Sequence, residues 1–386
     1  MTISLRGATA AAGVGLIQYK RGASPHGERG LLIRAMIQAC DDAGLAPSDI
    51  DGFVSYGFDN NQPDRLMSDL GTKELHLSAM MWGAGGGGLL GAFEIAAMAI
   101  ATGQAEVVAV YRAIAQGDSG RLANAVIAHH VNEHSTGAGV VTPAIVCALR
   151  AQRMEIEHEH MAEAMEALVQ ADYYHGSRNP AAVAYGRPLD LEVYRQARKI
   201  TGPLRLYDCS RESDGAGVVL MVSAERARDL KKKPIYLLGA TQGAQKGWGN
   251  LIENDLDYAS TGFDSVARRL WEKTGLGPQD IDVTQLYENF TPQAVATLVG
   301  LGLARWETLT EDVTFENLIA PSGKIPVNTD GGNLAQGFVH GINIVVEAVH
   351  QLRGESANPV PGARTCLVTG GPGSRMNTAA VFANAL

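Results

Sequence analysis

The sequence predicts an α/β protein built from two similar halves, and three observations carry that expectation. A nine-residue stretch, Ala43-Gly44-Leu45-Ala46-Pro47-Ser48-Asp49-Ile50-Asp51, returns as Thr274-Gly275-Leu276-Gly277-Pro278-Gln279-Asp280-Ile281-Asp282, with six of nine positions identical at an offset of 231. A repeat at so long a period marks a duplicated unit. Each copy follows a helical pattern (31–43 and 266–274) and precedes a strand-like run ending near a tyrosine, Tyr56 or Tyr287. Finally, residues 107–111, 217–222, 235–238 and 365–369 are continuous apolar runs, as strands buried on both faces require. Strands alternating with helices imply sheets covered by helices.

The halves are expected at 1–232 and 233–386. The tripeptide Gly7-Ala8-Thr9 matches Gly239-Ala240-Thr241 in the same sense. Residues 113–203 have no counterpart in the second half. They read as helix-rich over 144–171 and loop-rich around Ser177-Arg178-Asn179-Pro180, an insertion expected to lie over the site.

With 386 residues, 46% hydrophobic and 19% charged, the chain reads as a folded enzyme with more than one core unit. A net charge of −9 argues against nucleic acid and anionic membrane surfaces as partners. Lys231-Lys232-Lys233 reads as a solvated turn before a strand. Four cysteines (Cys40, Cys147, Cys209, Cys366) lack a CxxC spacing, so neither a disulfide framework nor a zinc site is expected. The N-terminus carries no apolar signal, and a cytoplasmic setting is expected. Over 77–103 the only charge is Glu94. The length could suggest a membrane span, but Gly83 and the glycines at 85–88 point to a helix buried on all sides. His130 and His134 have a ligand spacing near His129, His158 and His160. Gly137 and Gly139 follow at once and no HExxH pattern is present, so no metal is expected.

The rest of the chain is organised around Asp330-Gly331-Gly332-Asn333-Leu334-Ala335-Gln336-Gly337-Phe338-Val339-His340-Gly341. Paired glycines allow close approach of backbone to a ligand, and the helical pattern over 342–352 implies a strand–glycine-turn–helix junction with N–H groups aimed at the site.

These pieces together resemble the thiolase superfamily. The resemblance spans essentially the whole chain. It rests on Pro203-Leu204-Arg205-Leu206-Tyr207-Asp208-Cys209 with Ser213-Asp214-Gly215-Ala216-Gly217, on Asn179-Pro180, on Leu286-Tyr287-Glu288-Asn289-Phe290, on the Gly331-to-Gly341 loop and on Gly370-Gly371-Pro372-Gly373. It implies two similar halves packed as five layers, α-β-α-β-α, with the apolar 85–101 stretch as a central helix.

The departures from the thiolase pattern are chemical. Gly86 stands where the nucleophilic cysteine should begin the central helix. Leu367 stands where the second cysteine should be, and Cys366 is one residue off, which on a strand turns it to the other face. Gly337-Phe338-Val339 replaces Gly-His-Pro. Covalent transfer through sulfur is not expected. The same losses resemble the lipid-transfer-type aldolases of the sterol-carrier-protein-X branch. These cleave a β-hydroxyacyl-CoA, typically on a steroid side chain, to a ketone or aldehyde plus a short acyl-CoA. They work with a small zinc-ribbon/OB-fold partner that helps bind the acyl-CoA.

Retro-aldol cleavage needs a group to take the β-hydroxyl proton, a group to hold the enolate and an acid to quench it, with no cofactor beyond the CoA thioester substrate. Tyr287 is the expected proton relay, provided its neighbours lower its pKa; otherwise it is a packed strand-end tyrosine. His340, with a pKa suited to neutral pH, is expected to polarise the thioester carbonyl or to protonate the enolate. Backbone N–H groups near Gly86 and Gly371 would stabilise the oxyanion. Glu288 alternates away from Tyr287. The aldolases resembled use a second tyrosine near Phe338; either His340 takes that role, or the substrate differs, or the chain is no aldolase. A non-catalytic acyl-CoA-binding subunit and a cysteine-independent acyltransferase are the alternative readings. A homodimer formed through an uncharged edge strand of the first half is also expected.

Overall fold

The computed structural model describes residues 4–83, 85–119, 137–245, 257–372 and 376–386. Among them, nine strands form one mixed sheet: β1 (Thr9–Lys20), β2 (Gly52–Tyr56), β3 (Leu77–Met81), β4 (Val108–Ala115), β5 (Ser213–Ser223), β6 (Ile235–Gly243), β7 (Val283–Gln285), β8 (Thr365–Gly370) and β9 (Asn377–Ala383). The order across it is β3-β2-β4-β5-β1-β6-β9-β8-β7. Read outward from the middle, β1-β5-β4-β2 on one side matches β6-β9-β8-β7 on the other. Strands of the two sides pair at Ala10↔Tyr236 and Ala11↔Ile235, an antiparallel junction that Gly7 N extends by donating to Leu237 O at 3.0 Å.

Among the described residues, the helices of eight residues or more are α1 (Glu28–Ala43), α2 (Pro63–Leu70), α3 (Leu89–Ala101), α4 (Pro143–Glu157), α5 (Met161–Arg178), α6 (Phe263–Thr274), α7 (Thr291–Gly300) and α8 (Ile342–Arg353). Helices α3 and α8 each pack against strands of both halves. They share one apolar core with the inward faces of both sheet sides. Helix α1 covers the first side from outside and α6 the second. The layers therefore run α-β-α-β-α. The lone charge on α3, Glu94, reaches the Lys273 ammonium on α6, so a nearly uncharged helix needs no other polar outlet. It is 13 residues long, and no described helix is long and apolar enough to cross a membrane.

The nine-residue repeat is one structure used twice. Gly44 (φ 74°) and Gly275 (φ 69°) end α1 and α6 in the left-handed conformation that only glycine adopts without strain. A short 3₁₀ turn follows each, Pro47–Asp49 and Pro278–Asp280. Its aspartate closes the turn, with Ala46 N donating to Asp49 at 2.9 Å and Gly277 N to Asp280 at 2.8 Å.

Three local expectations need correction. The tripeptide match of Gly7 with Gly239 is not structural: the counterpart of Gly239 is Gly13. Each follows a register shift in its strand and lies against the end of the covering helix, Gly13 on Ala43 and Gly239 on Thr274. Strand β4 runs on from Tyr111 to Ala115, because Ala113 and Ile114 keep pairing with β5. The helical stretch over 144–171 is two helices, broken where His160 takes φ 64°.

The segment between β4 and β5 lies against the glycine loop. Val183 N and Ala184 N donate to Gln336 O and Ala335 O at 2.8 and 3.0 Å. Asn179 Nδ2 donates to Asp330 O at 3.0 Å.

Candidate active site

Two residues past β7 the chain turns inward at Tyr287, whose N–H donates to Thr369 Oγ1 of β8 at 2.9 Å. Its ring fills a slot between two glycines. A Cβ on Gly86 would overlap ring atom Cε2, and one on Gly341 would come within 2.6 Å of Cδ2. Both glycines are therefore required by the tyrosine. The Gly86 amide, expected from sequence as an oxyanion donor, lies beside the phenol and lowers its pKa. Burial pushes the Tyr287 pKa up, and the Gly86 amide and the Arg112 charge offset it only in part. The condition of a lowered pKa is therefore not met, and the resting group is a protonated phenol.

The loop at 330–341 also departs from the expected strand–turn–helix. Gly332–Gln336 is a π-helical turn. Before it, Val327 makes only an isolated bridge to Thr284. Glu288 caps the turn: its carboxylate accepts from Leu334 N at 3.2 Å, from Asn333 Nδ2 at 3.2 Å and from Asn333 N. Glu288 thus faces the loop rather than Tyr287, as its alternation predicts. Burial pushes its pKa up to about 7, beside the buried Asp172 and Asp330, whose carboxyls are raised by the same cause.

Beyond the π turn, Phe338 N donates to Ser213 Oγ at 3.0 Å. The Phe338 ring packs edge-on against Tyr287 (6.1 Å between centroids) and against His340 (5.0 Å). His340 sits at φ 49°, an uncommon backbone for a non-glycine residue, and its carbonyl accepts from Tyr56 OH at 2.9 Å. Its Nδ1 is 3.0 Å from Nε of Arg112. Burial and the Arg112 charge hold the imidazole pKa well below its usual value. His340 is therefore neutral around pH 7 and does not titrate there, contrary to expectation.

Gly371 follows Gly370 and takes φ 82°. A Cβ on Gly370 would lie 2.7 Å from Gly86 O, so the terminal glycines abut the start of the central helix. Gly373 lies outside the described residues. The structure thus gathers Tyr287, Phe338, His340, Gly86 and the strand ending before Gly371.

Sequence reasoning missed Arg112 and Asp59. Arg112, 4% exposed, donates to Asp59 Oδ2 at 2.7 Å, to Ala113 O at 2.8 Å and to Gly57 O at 3.0 Å, besides His340. The available signal was a single arginine inside an apolar strand run.

All four cysteines are free. Cys366 faces the central layer and Leu367 the outer one, on opposite faces as the one-residue slip requires. Burial pushes the Cys366 thiol well up. Among the described residues no group of three or more His, Cys, Asp or Glu is placed to hold a metal ion; His129, His130 and His134 lie outside them.

Comparison with known proteins extends this picture. Residues 244–383 match the family described as Thiolase C-terminal domain-like. The chain is 35% identical over 384 residues to 17-hydroxy-3-oxo-4-pregnene-20-carboxyl-CoA lyase of Mycobacterium tuberculosis, covering 96% of this chain and 97% of that one. It is also 35% identical to the steroid side-chain-cleaving aldolase of Thermomonospora curvata, covering 96% of each. The chain belongs to the thiolase superfamily, in the branch of these aldolases. A solved Ltp2-ChsH2(DUF35) aldolase superposes with a TM-score of 0.91 at 33% identity over 99% of both chains. Human mitochondrial 3-ketoacyl-CoA thiolase shares the fold, with a TM-score of 0.73 at 15% identity, covering 99% of this chain and 100% of that one. Within the thiolase fold, then, Gly86 and the Tyr287 ring together occupy the head of the central helix.

Proposed function

We propose that the protein is a carbon–carbon lyase, a retro-aldolase acting on a β-hydroxyacyl-CoA with a bulky, steroid-like acyl group. The products are a ketone or aldehyde and a short acyl-CoA such as propionyl-CoA or acetyl-CoA. The observation that carries this reading is the phenol of Tyr287 lying on Gly86, where the thiolase pattern calls for a cysteine. A side chain at 86 and the ring at 287 exclude each other, so a sulfur nucleophile and this tyrosine are alternative ways of building the site.

A protonated phenol suits a bifunctional relay. Tyr287 takes the β-hydroxyl proton as the Cα–Cβ bond breaks, the bond's electron pair becomes the thioester enolate, and the tyrosine's own proton passes to the α-carbon. Tyr287 ends as it began, so no phenolate need persist in a buried site. The imidazole N–H of His340 and the backbone near Gly371 donate to the enolate oxygen, the place where charge develops. Phe338 supplies the apolar wall that excludes water and fixes both rings.

The assembly we propose is a homodimer paired through β3, with a zinc-ribbon/OB-fold protein adding acyl-CoA affinity, in the cytoplasm. Met80 and Trp82, at and just beyond that edge, are 53% and 80% exposed, which suits a covered surface. Residues 1–232 and 233–386 are the two duplicated halves in this reading.

The test is product analysis. The chain, with and without such a partner, is incubated with a β-hydroxyacyl-CoA and followed by mass spectrometry. A ketone or aldehyde with a shortened acyl-CoA is the expected outcome. Transfer of acyl to added CoA would favour a cysteine-independent acyltransferase, and binding without turnover a non-catalytic subunit.

A further inference from the structure

Arg112 is the most heavily bonded buried cation of the site. It makes four hydrogen bonds, and three of them fix the guanidinium on Asp59 Oδ2, Ala113 O and Gly57 O. Asp59 is held in turn, accepting from Ala113 N at 3.1 Å, and through Oδ1 from Asn61 N at 2.8 Å and Asn61 Nδ2 at 2.9 Å. Asn61 Nδ2 also reaches Glu28 Oε1 at 3.0 Å. The fourth bond, from Nε, ends on His340 Nδ1 at 3.0 Å. An arginine nitrogen can only donate, so Nδ1 must be the bare nitrogen of the ring. The one ring proton is then on Nε2, and among the described residues no group is bonded there.

We propose that Arg112 is a positioning residue: its Nε–H sets the tautomer of His340, so that the imidazole presents an N–H donor at Nε2 and no basic nitrogen to the substrate. This rests on the reading of His340 as part of the active site. It makes His340 a fixed electrophile, not an acid–base group, and leaves proton movement to Tyr287 alone. The left-handed backbone at His340 and the Tyr56 hydroxyl on its carbonyl hold the ring at the angle the bond needs.

The experiment pairs kinetics with a direct view of the ring. Arg112→Lys keeps a cation beside Asp59 but has no N–H fixed at the Nε position. It is expected to lower kcat by about 10²-fold, the size of one lost oxyanion donor, with KM little changed. Long-range ¹H–¹⁵N spectra of the histidine-labelled enzyme, with His340 assigned through His340→Gln, are expected to show a bare Nδ1 and a protonated Nε2, unchanged between about pH 6 and 9. In Arg112→Lys the ring becomes a mixture of tautomers. Asp59→Asn, which leaves Nε in place, gives a smaller loss of kcat and keeps the tautomer. A proton on Nδ1 in the parent enzyme, or a parental kcat in Arg112→Lys once the tautomer has changed, overturns the proposal by itself. Full turnover in His340→Gln, with the tautomer as described, overturns instead the active-site reading on which it rests.

Discussion

Asp51 and Asp282 do the same work at equivalent points of the two halves. Each carboxylate accepts the backbone N–H groups that lead into a neighbouring strand. For Asp51 these are Glu106 N and Val107 N at 2.9 Å, ahead of β4. For Asp282 they are Arg364 N at 2.8 Å and Thr365 N at 3.0 Å, at β8. Replacing either by alanine leaves strand donors without their partner. Asp51→Ala and Asp282→Ala are each expected to lower unfolding free energy by about 1 kcal/mol, and nearly additively, since the sites share no partner. Urea unfolding of the singles and the double measures this; an Asp282→Ala with parental stability would count against the equivalence.

Tyr287→Phe removes one hydroxyl and keeps the ring in its slot. Turnover is expected to fall by about 10²-fold or more with KM nearly constant. Gly86→Ala tests the slot itself, because the new methyl group and the ring cannot coexist. It is expected to lower kcat while the far-ultraviolet spectrum stays parental, and Gly86→Cys is expected to give neither acyl transfer nor normal lyase activity. Steady-state kinetics with the shortened acyl-CoA as readout decides.

Cys366 is four residues down its strand from the level of the site, roughly 13 Å at about 3.3 Å per residue, since Cys366 pairs with Val283. Cys366→Ala and Cys209→Ala are expected to keep near-parental turnover. A thiol alkylator should act slowly, because burial pushes the Cys209 thiol up to about 12 and only the thiolate reacts. Rapid inactivation traced to Cys366 by peptide mapping would reinstate sulfur chemistry.

Buried carboxylates give stability a definite pH dependence. Burial pushes Glu347 up to about 7, as it does Glu288. A carboxyl raised in the folded state binds its proton there while the unfolded chain has released it, so stability is full below about pH 4.5 and lost as pH rises toward 7. Glu347→Gln keeps an acceptor for the Thr329 and Ser356 hydroxyls, both bonded to Oε1 at 2.6 Å. It is expected to raise stability at pH 8 by roughly 1–3 kcal/mol and to flatten the slope between pH 5 and 8. Denaturant melts across that range check it, and an unchanged slope would sink the idea.

How much of this was legible depends on distance along the chain. The repeat announced the duplicated fold because Gly44 and Gly275, and the prolines after them, are local signals of how a helix ends. Tyr287, His340 and the glycines stood out because polar groups among glycine-rich loops are visible in one dimension. Arg112 was visible only as an odd arginine in an apolar strand run; its bond to His340 joins residues 228 apart, and no local pattern pairs the two. The ionisation of His340 was misread, and that of Tyr287 left open, for a related reason. Their residue types suggest ordinary titration, but desolvation by the packed halves decides it. The counterpart of Gly239 was misassigned because a strand bulge, invisible in sequence, shifts the register.

Breaking the open edge of the sheet tests the proposed assembly. Met80→Lys places a charge beside the unpaired side of β3, and sedimentation should then show a monomer where the parent is a dimer. A parent that is monomeric at micromolar concentration would end that proposal.

The far edge of the same sheet behaves differently. Strand β7 has only three residues, and its outer side is met by the chain at Pro326 and Asn328, with Thr284 N donating to Pro326 O at 2.9 Å and Asn328 N to Thr284 O at 3.1 Å. Among the described residues, then, the sheet is open at one end and stoppered at the other. A ribbon with a single sticky end can join one more of its kind and no further. For the described residues, growth by strand addition, the route by which flat sheets become fibres, has a single edge to use and no second one from which to continue.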